Sequence, residues 1–452
     1  MNYPIIKKIR NRFDKLGIDG YVVPKNDQFF SEFSTQDKLR LVSNFTGSAG
    51  YAVILKQKNY LFVDGRYTIQ AEKEAGNLFK ITRFEKIINC NLFKNLTLGI
   101  NQELFTSGQI KKYFGKNNKI KEVNNSIDNI FKKREIKSKP FFSLNKRVTG
   151  ECHTQKIQKI VKWLKKTKTN YLFISAPENV AWLLNIRGYD NPFSPIPNCR
   201  LFISDKKKFF LISEINKVKK LIHEKKIKKH NVIDPEKINI LINKFAKGRI
   251  VIDKKSCSIY FEKLLKKKFS IVHKDDPIYF LKSIKNKHEI KGMIDSHILD
   301  GAALTKFLHW IKRVNKKKIT EFDAQKKLES FRKKNKNYLS PSFNTIAGTA
   351  ENGAIVHYRA NKKTAKKINK KDIFLCDSGG QYQYGTTDVT RTICFRNQKN
   401  YIKDIFTKVL KGHIAVVTSD LDTHYNGKLI DIRARKFLKQ SNLDYQHGTG
   451  HG

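Results

Sequence analysis

Apolar positions in the first third of the chain predict a helix followed by strands. Residues 4–16 form a basic amphipathic stretch, and a turn at Asp64-Gly65 precedes a helix that begins at Arg66 and reaches about residue 74. Short apolar runs predict strands at residues 21–24, 51–55 and 60–63. A strand–turn–strand–helix order is typical of α/β or α+β domains.

A similar order recurs in the middle of the chain. Apolar residues at helical spacing predict a helix over residues 156–166, which is followed by a strand at 171–174 and a short helix at 178–184. Apolar runs at 201–203 and 209–212 predict a hairpin. Because the same kinds of element recur in the same order, we expect a duplicated domain.

The last third begins with two helices and then changes to strands with glycine-rich turns. The second helix is expected over residues 320–334, with Thr320 as its N-cap and Asp323 as the acid at the third helical position. The first is expected at 288–312, with apolar residues at Ile290, Met293, Ile294, Ile298, Leu299 and Ala302.

These patterns divide the chain into three expected domains, which agrees with a length of 452 residues. The boundaries lie near 140–150 and 283–286, which gives domains at residues 1–145, 146–284 and 285–452. We therefore expect an α/β (α+β) protein. A hydrophobic content of 39 % is sufficient for packed cores, so the chain should be globular.

The chain is strongly basic, with 91 Lys and Arg residues against 40 Asp and Glu and a net charge of +51. Such a charge can indicate binding to nucleic acids or anionic membranes. The lysines are scattered, however, in short runs such as residues 206–208 and 316–318, and none lies in a motif that reads nucleic acids. We interpret them as a solvated surface and expect no specific nucleic-acid partner.

The cysteines and the apolar segments are typical of an intracellular protein. None of the six cysteines lies in a C-x-x-C pair, and disulfide frameworks are typical of short secreted chains. The N-terminus has no apolar stretch of signal-peptide length, and no segment approaches the roughly 18 apolar residues that span a membrane. We expect reduced thiols, no membrane partner and a cytoplasmic location.

Two candidates for chemistry follow apolar runs near the C-terminal end. His357 is expected at the end of an apolar strand, where a lone histidine is more often structural than catalytic. Asp377 follows an apolar run and precedes a tight turn at Gly379-Gly380. A carboxylate at the end of a buried strand is costly unless it is paired or bound to a metal, although it can also cap the turn.

Asp388 comes 11 positions after Asp377. If their strands form a hairpin, both carboxylates can meet on one face. Two carboxylates in contact repel each other, so both remain ionised at low cost only with a cation between them. Because oxygen ligands suit Mn²⁺, Mg²⁺ or Ca²⁺, the pair predicts a metal site.

The last candidates are two histidines, His447 and His451, four positions apart among glycines. The glycines permit close backbone approach and unusual dihedral angles. A metal-ligating imidazole plus a second histidine for proton or substrate contacts fits this pattern. A metal-affinity tag is the trivial alternative, and the intervening Gly-Thr-Gly argues against it.

Taken together, the motifs resemble those of Xaa-Pro aminopeptidase (aminopeptidase P), one of the pita-bread metallopeptidases. The motifs are Asp377-Ser-Gly-Gly-Gln-Tyr and Gly385-Thr-Thr-Asp388-Val-Thr-Arg-Thr, with His357 before them and His447-Gly-Thr-Gly-His451-Gly after them. The likeness extends over essentially the whole chain. It covers residues 31–32, 47–50 and 63–67 in the first domain, 179–188 in the second, and 285–301 at the start of the third.

The resemblance implies two creatinase-type N-terminal domains ahead of a pita-bread catalytic domain, and a role for each motif residue. Asp377 would bind one metal, Asp388 would bridge two, and His451 would bind the second. His357 and His447 would contact the substrate and hold the scissile carbonyl or shuttle protons. Arg66 matches an arginine of the first domain that reaches the substrate.

The implied reaction is hydrolysis of the bond between an N-terminal residue and a following proline by a hydroxide held between two divalent ions, which we expect to be Mn²⁺. The implied partners are peptides with proline at the second position. A homodimer is also expected, because family members of this form are often dimers through the catalytic domain.

The sequence departs from the family after the histidine motif. The family's site has two further Glu ligands there, whereas this sequence stops at Gly452. We therefore expect a pita-bread domain that is incomplete at its C-terminus, and a polypeptide that binds metal weakly and has negligible activity. Two alternatives stay open. One is a prolidase-like Xaa-Pro dipeptidase, and the other is a non-catalytic pita-bread binding protein.

Overall fold

The first part of the chain forms a mixed α/β unit. The structure, a computed structural model, describes residues 3–32, 34, 36–88, 93–123, 126–131 and 139–451. The strands here are β1 (Gly20–Pro24), β2 (Tyr51–Leu55), β3 (Asn59–Val63), β4 (Lys80–Arg83), β5 (Thr97–Ile100) and β6 (Lys119–Glu122). The helices are α1 (Tyr3–Arg10), α2 (Phe13–Leu16), α3 (Lys38–Ser43), α4 (Thr68–Ala75), α5 (Glu85–Ile88) and α6 (Ser107–Tyr113).

These six strands form one twisted sheet in the order β4-β3-β2-β1-β5-β6. β1 pairs antiparallel with β2 and parallel with β5, which makes it a central strand buried on both faces. Successive side chains of a strand point to opposite faces. Accordingly, Tyr21 and Val23 enter one apolar cluster, whereas Val22 enters another on the other side.

The middle part of the chain repeats this architecture. Its strands are β7 (Phe142–Ser143), β8 (Tyr171–Ile174), β9 (Ile186–Arg187), β10 (Arg200–Ser204), β11 (Phe209–Ile212), β12 (Val232–Ile233), β13 (Arg249–Ile252) and β14 (Ser270–His273). Its helices are α7 (Lys146–Thr149), α8 (His153–Lys166), α9 (Pro177–Leu184), α10 (Ile215–His223), α11 (Ile238–Asn243), α12 (Ile259–Lys266) and α13 (Pro277–Ser283).

The second large sheet has the order β12-β11-β10-β8-β13-β14. Its central strand β8 pairs antiparallel with β10 and parallel with β13, as β1 does with β2 and β5 in the first sheet. The repeated order agrees with the expected duplication. The predicted hairpin is present as β10 and β11, which pair antiparallel.

The last part of the chain combines long helices with short sheets. Its helices are α14 (Lys287–Arg313), α15 (Glu321–Arg332), α16 (Asn400–Val417) and α17 (Gly427–Lys439). Its strands are β15 (Tyr338–Pro341), β16 (Ile346–Thr349), β17 (Ile373–Ser378), β18 (Gly380–Tyr382) and β19 (Val389–Cys394). Thr320 caps α15 in a reciprocal capping box with Asp323, as predicted. The mixed α/β architecture confirms the expected fold class.

The apolar residues that indicated α14 are not its packed face. Ile290, Met293, Ile294 and Ile298 are exposed, although the helix itself has the predicted length. The face that packs against the rest of the protein carries Gly292, Ser296, Asp300, Ala303, Leu304, Phe307 and Ile311. The small residues allow close approach: a side chain at Gly292 would lie 2.8 Å from the carbonyl oxygen of Tyr384.

Two further expectations concern thiols and membranes. Free thiols are present at Cys152, Cys199, Cys257, Cys376 and Cys394, and Cys90 lies outside the described residues. None of the helices in the described ranges combines the length and apolar character needed to cross a bilayer.

A buried ion pair joins α14, α15 and β17. Arg332 Nε donates to Asp300 Oδ1 at 2.7 Å and Nη2 donates to Oδ2 at 3.0 Å, and neither side chain is more than 1 % exposed. Nη2 also donates to Ser378 Oγ at 3.1 Å, and Tyr382 OH donates to Asp300 Oδ1 at 2.8 Å. Because Ser378 directly follows Asp377, this network fixes the end of β17 that carries the candidate ligand.

We predict that Arg332→Ala lowers the free energy of unfolding by about 3–5 kcal/mol, because it leaves the Asp300 carboxylate buried without its counter-charge. Urea denaturation measures the change. Lys333→Ala is the matched control, since that neighbouring side chain is 68 % exposed and should cost under about 0.5 kcal/mol. Equal losses in the two variants would contradict the assigned role of the ion pair.

Candidate active site

The antiparallel pairing of β17 and β19 brings Asp377 and Asp388 together. Asp377 pairs with Thr390 and Ser378 with Val389, so Asp388 enters β19 beside the end of β17. The turn between them requires glycine at residue 379, where a Cβ atom would lie 1.9 Å from the carbonyl oxygen of Thr387. The hairpin geometry expected from the spacing is therefore present.

The two carboxylates interact strongly. Burial raises the pKa of Asp377 to about 6, and the adjacent Asp388 carboxylate adds to the rise, whereas Thr390 and His451 oppose it. Asp377 Oδ1 is buried and has no hydrogen-bond partner in the described part of the chain. A buried carboxylate oxygen without a donor, beside a second carboxylate, is an environment that a cation would stabilise.

His451 lies at the open side of this pair. Its Nε2 atom is 3.4 Å from Asp388 Oδ2, and its side chain is 83 % exposed. Among the described residues, no three His, Cys, Asp or Glu side chains converge to form a complete metal-binding group. The predicted ligands are therefore neighbours, arranged as a carboxylate pair with a histidine at its rim.

The segment that carries His447 and His451 is irregular, as its glycines predicted, and α17 holds it in place. Arg435 donates to the carbonyl oxygens of Tyr445 and His447, both at 2.7 Å, and forms ion pairs with Asp431 and Asp444 at 2.8 Å. The His447 ring stacks on Tyr445 with ring centroids 4.6 Å apart. His447 itself is exposed.

The prediction that His357 ends a strand is wrong. A 3₁₀-helix covers Ala350–Ala354, and His357 follows it in an irregular loop. The physical reason is the buried carboxylate of Glu321, which accepts hydrogen bonds from several groups of this segment. These donors are therefore not available for pairing with a neighbouring strand. Glu321 accepts hydrogen bonds from Thr349 N at 2.8 Å, Asn352 Nδ2 at 3.0 Å, Tyr358 OH at 2.7 Å and Lys366 N at 2.8 Å.

His357 instead contacts Tyr67, which follows strand β3 of the first sheet. Its Nδ1 atom is hydrogen-bonded to Tyr67 OH, and the two rings meet edge to face at a centroid distance of 5.1 Å. Tyr67 OH is 2.6 Å from Ser48 Oγ, which donates to Glu32 Oε1 at 2.6 Å. Burial and, next, the positive charge of Arg66 lower the pKa of His357 to about 4.

Arg66 lies beside this histidine, where its charge acts on the ring. It is paired with Asp64 at 2.6 Å, and its guanidinium carbon lies 5.1 Å from the Tyr67 ring centroid. Gly65, the residue before Arg66, packs closely against the segment that carries His447, since a Cβ at Gly65 would lie 2.5 Å from the carbonyl oxygen of Gln446. The turn after β3 therefore reaches both His357 and the neighbour of His447.

Several residues of the site were not predicted. Tyr67, Ser48 and Glu32 lie in motifs that carried the family resemblance, but no role was assigned to them. Tyr67 and His357 are 290 positions apart, and nothing in the spacing of either indicates a contact. The only available signal was the position of Tyr67 next to Arg66. Arg435 was missed because a helical arginine near an acid is ordinary surface chemistry.

Three family models match consecutive parts of the chain. Models described as "Creatinase/Prolidase N-terminal domain" match residues 5–130 and 132–289. A model described as "Metallopeptidase family M24" matches residues 291–452, which include all the candidate metal ligands.

Known relatives are similar along almost the whole chain. Xaa-Pro aminopeptidase 1 of Dictyostelium discoideum is 32 % identical over 487 residues, covering 99 % of this chain and 76 % of that protein. Xaa-Pro aminopeptidase ApepP of Drosophila melanogaster is 35 % identical over 463 residues, covering 96 % and 75 %.

A solved structure shares the fold. It is X-prolyl aminopeptidase from Caenorhabditis elegans, described as a cytosolic enzyme with a di-nuclear active site. The match has a TM-score of 0.89 at 24 % identity and covers 100 % of this chain and 79 % of that one. Together with the relatives above 30 % identity and the family models, it confirms the resemblance. The chain belongs to the Xaa-Pro aminopeptidase family of M24 metallopeptidases, with two creatinase N-terminal domains ahead of its M24 domain.

Proposed function

We propose that the protein is a metal-dependent aminopeptidase that releases the N-terminal residue from peptides with proline at the second position. The observation that carries the proposal is the contact between Asp377 and Asp388, with one buried oxygen of Asp377 left without a donor. We propose the three domains at residues 1–145, 146–284 and 285–452, a cytoplasmic location and a homodimer, as in the long form of the family.

The types of donor in the site suit divalent ions. Asp377 would bind one ion, Asp388 would bridge both, and His451 would bind the second. Two carboxylates and one imidazole are donors that suit Mn²⁺, which we propose as the metal. Metal ions bound there would lower the pKa of a coordinated water and polarise the scissile carbonyl.

The remaining side chains act on the peptide. His357 is held neutral by burial and the Arg66 charge, so it can accept a proton or a hydrogen bond at neutral pH. His447, exposed on its glycine-rich segment, would contact the substrate from the other side. Arg66 keeps part of its guanidinium unpaired by Asp64 and would bind a peptide carbonyl or carboxylate.

The three ligands within residues 1–452 are fewer than two ions require. With only Asp377, Asp388 and His451, the repulsion between two divalent ions would be poorly compensated. We therefore propose that the 452-residue polypeptide alone binds metal weakly and turns over very slowly. Two further carboxylate ligands, supplied C-terminal to His451, would complete the site.

We predict that Asp377→Asn stabilises the metal-free protein at pH 7 by about 1–2 kcal/mol. The pKa of this carboxyl rises from its ordinary value of 3.8 to about 6 on folding. A raised carboxyl pKa contributes stability below about pH 4 and loses that contribution as the pH rises through 6. The gain should therefore vanish at pH 4. Urea denaturation in chelator at both pH values measures it.

Asp404→Asn is the control for this experiment, because Asp404 is 57 % exposed and forms a surface ion pair with Lys408. It should give no stabilisation at pH 7. Excess Mn²⁺ should then stabilise the native chain but not Asp377→Asn. A gain for Asp377→Asn that is equal at pH 4 and pH 7 would contradict the raised pKa of Asp377.

The activity itself is tested by extending the chain with the C-terminal segment of the Drosophila relative that lies beyond the match. The extended chain with Mn²⁺ should cleave a tripeptide with proline second, and much more slowly an Xaa-Pro dipeptide. We expect the 452-residue chain to be at least about a hundredfold slower, which corresponds to about 2.7 kcal/mol of activation free energy.

Asp388→Asn in the extended chain should abolish cleavage, while Asp404→Asn should not change it. Preference for the dipeptide would favour the prolidase-like alternative. Tight Mn²⁺ binding without any cleavage would favour a binding protein. Equal rates for the 452-residue and extended chains would refute the proposed need for further ligands.

A further inference from the structure

A directional chain of hydrogen bonds connects His357 to a carboxylate on the first domain. The chain runs through Tyr67 and Ser48 to Glu32. Tyr67 is 1 % exposed and Ser48 is 5 % exposed, so water does not compete for their hydroxyl groups. Glu32, at the end of the chain, is exposed.

Counting protons fixes the direction of every bond. The ionised carboxylate of Glu32 can only accept, so Ser48 must donate its single hydroxyl proton to it. Ser48 Oγ, 2.6 Å from Tyr67 OH, then has no proton left and must accept from Tyr67. The Tyr67 proton is thereby committed to Ser48. The Tyr67 oxygen can only accept from His357, and therefore Nδ1 of His357 must carry a proton.

We infer that the first domain sets the tautomer of His357, with Tyr67 as a positioning residue. The structure assigns the proton to Nδ1 and leaves Nε2 as a bare acceptor. Free imidazole has no such constraint, because either nitrogen can carry the proton. His357 Nε2 has no hydrogen-bond partner among the residues that the structure describes, so it is available to a substrate.

The tautomer selects between the two roles that the sequence left open for His357. A neutral imidazole with its proton on Nδ1 cannot donate from Nε2 to a scissile carbonyl oxygen. It can accept a hydrogen bond or a proton from the substrate or a water. The low pKa of His357, caused by burial and Arg66, keeps this neutral form in place at neutral pH. The side chain is therefore a proton acceptor at the start of the reaction.

The series of hydrogen bonds from His357 to Glu32 also stabilises the imidazolium that forms when Nε2 accepts a proton. When Nε2 is protonated, the ring becomes an imidazolium. Its Nδ1–H already donates to Tyr67, the first member of the series of hydrogen bonds that ends at the Glu32 carboxylate. The same arrangement, a histidine oriented by a second group and backed by a carboxylate, is how a base is held in the correct tautomer in other hydrolases. Here the orienting groups come from a separate domain.

The tautomer is read by long-range ¹H–¹⁵N correlation NMR of the 452-residue chain at pH 7 with ring-labelled histidine, in the absence of metal. His357→Gln identifies the signal among the 12 histidines. We expect the protonated nitrogen of His357 to be Nδ1 in the native protein, and to shift to Nε2 in Tyr67→Phe. Tyr60→Phe is the matched control, since Tyr60 is 4 % exposed in the same domain and has no hydrogen bond to His357.

Glu32→Ala provides a second variant that should fold, because Glu32 is exposed. Without its acceptor, Ser48 can donate back to Tyr67, and the tautomer should shift in the same direction as in Tyr67→Phe. Native protein with the proton on Nε2 would overturn the inference. So would an Nδ1–H tautomer that persists in both Tyr67→Phe and Glu32→Ala.

The catalytic part of this role rests on the proposed function and has its own readout. In the extended chain, Tyr67→Phe should lower kcat/KM about tenfold, as expected for one lost hydrogen bond, with unchanged kcat/KM in Tyr60→Phe. An inactive extended chain would refute the proposed function but leave the NMR result standing. A shifted tautomer with unchanged kcat/KM would refute Tyr67 as a positioning residue.

Discussion

The backbone ladder between β17 and β19 is the constraint on which the candidate site depends. It places two carboxylates, Asp377 and Asp388, in contact at the edge of a buried strand, where they repel each other. The ladder is in turn fixed from behind by the buried pair of Arg332 and Asp300, which also binds Ser378. The fold thus holds two like charges in contact, an arrangement that the proposed metal would stabilise.

The first domain contributes to the site through the turn after β3 and through residues 32 and 48. Gly65 contacts the segment next to His447, Arg66 lowers the pKa of His357, and Tyr67 binds the His357 ring. Three successive residues of one domain therefore act on His357 and on the residue before His447. A change in the relative position of the two domains would alter the charge and tautomer of His357 together, so the domain interface is part of the chemistry.

Much of the fold could be predicted because it depends on local patterns. Six strands of the two large sheets (β1, β2, β3, β8, β10 and β11), the cap at Thr320 and the length of α14 follow from the apolar pattern and from capping residues. The packed face of α14 could not be predicted, since Asp300 and Ser296 are buried through partners distant in sequence while Ile294 and Ile298 are exposed. Periodicity identifies an apolar face but does not show which face a neighbouring element covers.

The candidate site, like the fold, could be predicted only in part. The spacing of Asp377 and Asp388 contained enough information to predict antiparallel pairing and a carboxylate pair, because Asp377 lies on β17 and Asp388 directly precedes the adjacent strand β19. The loop of His357 was read as a strand, because its apolar residues resemble one and the interaction that prevents a ladder comes from Glu321 on a helix. The partner of His357 is 290 positions away, beyond the reach of any local pattern.

The buried carboxylates of the last domain show how structural and functional acids can be distinguished physically. Glu321 is fully buried and accepts hydrogen bonds from four separate groups, and Asp300 is matched by a guanidinium and a tyrosine hydroxyl. In each case the protein supplies donors that compensate the loss of water. Asp377 differs from them: one oxygen has no donor in the described part of the chain, and the adjacent Asp388 carboxylate has the same charge. A bound cation would supply the positive charge that the described residues do not place against Asp377 Oδ1, as the proposed metal-ligand role of Asp377 requires, whereas a structural acid would need no such ion.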